Sequence, residues 1–156
     1  MGQISHTLDT EHRSSLELLG RVEQAFARGA RGPEFNQLAG AFGRFIEQDI
    51  TRHFDFEEGE LFPRMAQAGE GDIAELLREE HDAIRAVAGE ILPLARAGAA
   101  GTLDASGFDA LKRLAFEMVE RQVAHIQKES MALLPLLDDL LDEETDRELA
   151  FAYASA

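Results

Sequence analysis

The chain has 156 residues and carries 15 Lys+Arg against 30 Asp+Glu, a formal net charge of −15. That balance excludes binding to a nucleic-acid backbone and docking on anionic lipid, because both need clustered cations. The absence of cysteine excludes disulfides, thiolate metal sites, iron–sulfur clusters and cysteine nucleophiles.

The opening residues, MGQISHTLDTEHR, show no basic region followed by an apolar stretch, and no run is long enough to span a bilayer. A soluble, cytoplasmic protein with one domain over 1–156 is expected. Apolar residues recur at helical spacing nearly throughout, and β-branched residues are sparse. The first helix is expected to start near Asp9 or Thr10 and to end at Gly29, with the stripe Leu8, His12, Leu16, Leu19, Val22 and Phe26.

Gly32-Pro33 opens the second helix, whose stripe is Phe35, Leu38, Phe42, Phe45, Ile46, Ile50, His53 and Glu57. The stretch from Gly59 to Pro63 is expected to break or kink it, leaving a short tail to about Ala68. Asp72 is placed to cap a third helix running to about Ala97, with Ile73, Leu77, His81, Ile84, Val87 and Ile91 on its stripe and a bend at Pro93. A Gly/Ala-rich loop over 98–105 leads to Ser106, the expected cap of a fourth helix with Leu111, Leu114, Met118, His125, Glu129 and Leu133 on one face. After Pro135 a shorter acidic helix over about 137–152 is expected, ending in a soft tail. Four long amphipathic helices with modest connectors predict an all-α, up-down-up-down four-helix bundle with a short C-terminal helix.

One device occurs twice. Residues 53–63 read HFDFEEGELFP and residues 125–135 read HIQKESMALLP, matching at His53/His125, Glu57/Glu129, Leu61/Leu133 and Pro63/Pro135. Positions four apart share one helix face, so each copy offers an imidazole and a carboxylate pointing the same way. His12 and His81 add one imidazole on each remaining helix, again on the apolar stripe.

An ionised Glu in a bundle core costs several kcal/mol unless it is paired or bound to a cation. No Lys or Arg falls at a core position on these stripes, so His12, His53, Glu57, His81, His125 and Glu129 are read as a metal site. Two carboxylates able to bridge and four imidazoles suit two divalent ions, and this donor mixture favours Fe, Mn or Zn over Ca or Mg. His6 is expected to be exposed. Glu58, Glu79 and Glu80 are read as solvated charge, Asp49 and Gln122 equally as acceptors that orient imidazoles or as partners in interhelical hydrogen bonds, and Tyr153 receives no role.

The order His12, His53-x-x-x-Glu57, His81, His125-x-x-x-Glu129, with its LFP and LLP ends, resembles the hemerythrin-like (HHE cation-binding) domain over about residues 8–136. The resemblance implies a non-haem di-iron centre, oxo- or hydroxo-bridged, with His12 and His53 on one iron, His81 and His125 on the other, and Glu57 and Glu129 bridging. Zn or Mn are possible substitutes.

The oxygen carriers of that family have a further histidine one turn before the His81 position, where this chain has Leu77. Their second carboxylate is an aspartate five residues after its histidine, where this chain has Glu129 at four. These departures are expected to leave the His81/His125 iron more open. They point away from stable O₂ carriage, toward binding or sensing of O₂ or a related diatomic such as NO. The alternatives are an enzyme that reduces NO or decomposes peroxide and, ranked lower, iron storage or delivery. A sensor of this kind signals through a partner or as a homo-oligomer.

Overall fold

A computed structural model describes residues 1–156. Five helices and no strands make up the chain: α1 (Gln3–Arg28), α2 (33–67), α3 (Gly71–Ala99), α4 (105–140) and α5 (Glu143–Ser155). Around the bundle α1 packs on α2, α2 on α3, α3 on α4 and α4 back on α1, while α5 lies against α1. Sequential helices are neighbours, as the short connectors require for an up-down-up-down bundle with an added C-terminal helix. No helix is long and apolar enough to cross a membrane.

Several boundaries differ from the sequence expectation, each for a tertiary reason. Helix α1 starts at Gln3, well before Asp9. The backbone N–H groups of Gly2, Gln3 and Ile4 donate to Asp138 Oδ1, Asp146 Oδ2 and Asp146 Oδ1 at 2.8, 2.8 and 2.9 Å. These carboxylates on α4 and α5 satisfy the orphan donors of the helix start and complement its positive dipole end, so no local cap is needed. Leu16 remains 38 % exposed and does not join the core.

Asp72 lies inside the first turn of α3 and makes no cap, and α3 continues through Pro93 to Ala99. Asp104, not Ser106, caps α4, its side chain accepting from the Gly107 N–H at 2.7 Å. Helix α4 runs on to Leu140, so the separate last helix begins only at Glu143, capped by Asp142.

The two prolines after the repeated device do not break their helices. In both copies the helix widens into a π turn that begins at the glutamate, Glu57–Leu61 in α2 and Glu129–Leu133 in α4. The N–H just before each proline, that of Phe62 or of Leu134, reaches back five residues to the carbonyl of Glu57 or Glu129. This shift places Pro63 and Pro135 at the start of the following α segment, where the ring is tolerated.

Two apolar clusters fill the interior. The larger includes Leu19, Phe42, Phe54, Ile84 and Met118, and the smaller includes Leu8, Leu61, Leu77, Leu133 and Tyr153. His12, His53 and Glu57, His81, and His125 and Glu129 lie where these two sets meet along the four long helices, giving one polar layer inside an apolar bundle.

Candidate metal centre

All six residues singled out by their spacing are buried: His12, His53, Glu57, His81, His125 and Glu129 are each at most 8 % exposed. Glu57 and Glu129 both lie between the imidazoles. Glu57 Oε2 is 3.1 Å from His53 Nε2, and its Oε1 is 3.1 Å from His81 Nε2. Glu129 Oε1 is 2.9 Å from His12 Nε2 and 3.4 Å from His53 Nε2, while its Oε2 is 3.1 Å from His125 Nε2. Each carboxylate thus turns one oxygen toward the His12/His53 side and one toward the His81/His125 side.

Two sets of ligand atoms converge closely enough to hold a metal ion. One comprises Glu57, His81, His125 and Glu129, and the other His12, His53 and Glu129. Glu57 Oε1 and Glu129 Oε2 are fully buried and find no aligned hydrogen bond, although imidazole nitrogens stand 3.1 Å away. His81 Nε2 and His125 Nε2 also face each other at 3.1 Å. Buried polar atoms left without partners are costly. A cation among these lone pairs would satisfy them together, and imidazole with carboxylate is a donor set for first-row metals.

The outward nitrogens fix which lone pairs face in. His81 Nδ1 donates to Glu58 Oε2 at 2.7 Å, and His125 Nδ1 donates to Glu80 Oε1 at 2.8 Å. Arg85 braces Glu58 at 2.7 Å and Lys128 braces Glu80. Burial alone would raise both carboxyl pKa values, but the hydrogen bonds from imidazole and cation outweigh it and hold them below the usual range. An ionised carboxylate can only accept, so each Nδ1 carries a proton and Nε2 is the nitrogen free to bind a metal. His12 Nδ1 lies 3.3 Å from Ser130 Oγ. Glu11 Oε1 stands 3.9 Å from His53 Nδ1, an ion-pair distance rather than a hydrogen bond.

Without a metal the cluster holds protons. Burial disfavours charge on His81, yet the Glu129 and Glu57 carboxylates overcome it and raise its pKa to about 9. His53 and His125 are raised against the same burial penalty, chiefly by Glu57 and by Glu129 respectively. Burial likewise opposes ionisation of Glu129, but the surrounding imidazoles, His12 and His125 foremost, hold its pKa well below the carboxylate norm.

Several sequence assignments change here. Glu58 and Glu80, read as solvated charge, orient His81 and His125. The signal was their adjacency to a cluster residue, Glu58 just after Glu57 and Glu80 just before His81: one residue to either side of an inward position the side chain lies about 100° round the helix, facing a neighbouring helix. Asp49 and Gln122 bond no imidazole. Tyr153 is fully buried; its hydroxyl donates to Glu11 Oε1 at 2.8 Å and its ring lies against His53.

On the His81/His125 side, apolar side chains pack close against the imidazoles. Leu77 is buried, and the Phe54 ring stacks on His81 with centroids 3.7 Å apart. His6 is exposed, as expected.

The family model described as the Hemerythrin HHE cation binding domain matches residues 3–137 of the chain. Comparison with curated proteins finds no match.

Proposed function

Because the chain belongs to the hemerythrin HHE cation-binding domain family, a family of cation-binding domains, we propose that the six-residue cluster holds two iron ions and that the protein binds or senses O₂ or a related small diatomic. The observation that carries this reading is the orientation of Glu57 and Glu129. Each turns one buried oxygen toward the His12/His53 imidazoles and the other toward the His81/His125 imidazoles. A carboxylate so placed suits two neighbouring cations better than one. His12 and His53 would hold the first ion, His81 and His125 the second, with both glutamates shared.

Bound there, iron supplies one-electron chemistry and coordination positions for a small exogenous ligand. The protein's own groups set the conditions. Glu58 and Glu80 keep the Nε2 lone pairs of His81 and His125 directed inward. Phe54 and Phe62, stacked on His81, keep water from that face. The net charge of −15 leaves the surface unsuited to nucleic acid or anionic lipid. A cytoplasmic location, and signalling through a partner or a second copy of the chain, belong to the same reading.

The test is to load the full chain anaerobically with Fe(II), measure iron per chain, and follow visible absorption on exposure to air and on deoxygenation. Two irons per chain with a reversible spectral change are expected. Irreversible oxidation with catalytic loss of added NO or peroxide would replace sensing by redox catalysis. Iron that passes readily to an apo acceptor would favour storage or delivery. No iron uptake would overturn the proposal.

A further inference from the structure

Next to the His12/His53 side of the cluster the helices leave a cavity of about 20 Å³, walled by His12, His53, Glu129, Phe45, Ile126 and Gln122 among others. That is room for one water-sized or diatomic molecule. Gln122, one turn before His125 on α4, is 5 % exposed, and its Oε1 has no hydrogen-bond partner. A buried amide is normally satisfied by protein or ordered water. It does not orient an imidazole here, because the Nδ1 atoms of His12, His81 and His125 face Ser130, Glu58 and Glu80, and that of His53 faces Glu11.

The cavity adjoins the surface. A surface groove of about 450 Å³ beside α1, α2 and Tyr153 shares Glu11, Ser15, Phe45 and Asp49 with the cavity wall. These side chains stand between the cavity and solvent. His53, on this side, is the most exposed of the six cluster residues at 8 %.

We infer that Gln122 is the hydrogen-bonding residue of a small-ligand pocket on the His12/His53 side, donating its amide N–H to a di- or triatomic ligand that accepts hydrogen bonds. The inference rests on the two-metal reading above. A half-turn of the amide presents N–H in place of the orphaned carbonyl, so the same residue serves an accepting ligand or a resident water. Keeping a buried amide oxygen unpaired is a standing cost to folding, as expected of a group retained for a ligand.

The probe is azide, a small anion that accepts hydrogen bonds, titrated spectrophotometrically into the full chain loaded with ferric iron. Gln122→Met keeps the volume and removes the amide. Iron content should be unchanged and azide affinity should fall about tenfold, with a shift in the azide antisymmetric stretch in the infrared. The metal-free variant should unfold at the same temperature as the parent or higher, because no protein hydrogen bond is lost. An affinity within about twofold of the parent's, with iron retained, would overturn the role of Gln122 and leave the metal reading intact. Iron-loaded parent protein that binds no azide would overturn the pocket itself. A parent that holds no iron would remove both.

Discussion

The Tyr153 hydroxyl donates to Glu11 Oε1 at 2.8 Å, and through that carboxylate the last helix reaches the edge of the metal centre. Tyr153 lies beyond the family-matched residues 3–137, yet it is fully buried, and the Arg52 guanidinium sits 4.1 Å over its ring. Asp146 of the same helix caps the start of α1. Helix α5 therefore fastens α1, and with it His12 and Glu11, to the bundle. Tyr153→Phe should cost about 1–2 kcal/mol of stability by removing a buried hydrogen bond to a carboxylate. Thermal unfolding of the metal-free protein checks this, and an unchanged midpoint would deny the fastening role.

Removal of a cluster residue should be felt in metal content first. His81→Ala and Glu57→Ala are each expected to lose at least one bound ion, and with it the stabilisation that the metal contributes to folding. His6→Ala, at an exposed position, should change neither metal content nor stability. Elemental analysis of the three proteins prepared side by side is the measurement; equal metal in all three would refute the site.

The outer carboxylates should matter in proportion to what they orient. Glu58→Gln and Glu80→Gln each take the charge from the partner of an Nδ1–H and are expected to weaken metal binding about 10–100-fold while leaving the fold intact. Asp49→Asn, which touches no imidazole, should bind as the parent does. Competition against a chelator of known affinity separates these cases.

The metal-free protein should show a characteristic pH dependence. The pKa of His81 in the fold, about 9, lies above its ordinary 6.5. Its contribution to stability is therefore complete below about pH 6.5 and is lost as pH rises through about 9, at most on the order of 3 kcal/mol. Glu129 acts in the opposite sense. Its pKa is held well below 4.5, so its contribution is present above about 4.5 and is lost on acidification. Denaturant titrations with chelator present should find greater stability near pH 6 than near pH 10. Iron loading should abolish the alkaline loss, because the cation takes the place of the proton. A metal-free protein equally stable at both values would contradict the close imidazole–carboxylate packing.

Read as a string, the chain already determined its helices, its bundle topology and the six residues that meet in the core. Helical periodicity and a repeated four-residue spacing are local properties, and a buried carboxylate without a cation on its stripe is visible in composition and order alone. What only the tertiary structure decided depends on neighbours far away in sequence. Helix α1 begins at Gln3 because Asp138 and Asp146 arrive from the other end of the chain to satisfy its N–H groups. The prolines leave α2 and α4 unbroken because a π turn at each glutamate shifts the hydrogen-bond ladder. Glu58 and Glu80 serve His81 and His125 because each lies on the flank of its own helix, facing an imidazole on the next one. Whether a charged side chain ends in water or against an imidazole is set by which helix packs beside it, and periodicity along a single helix carries no record of that.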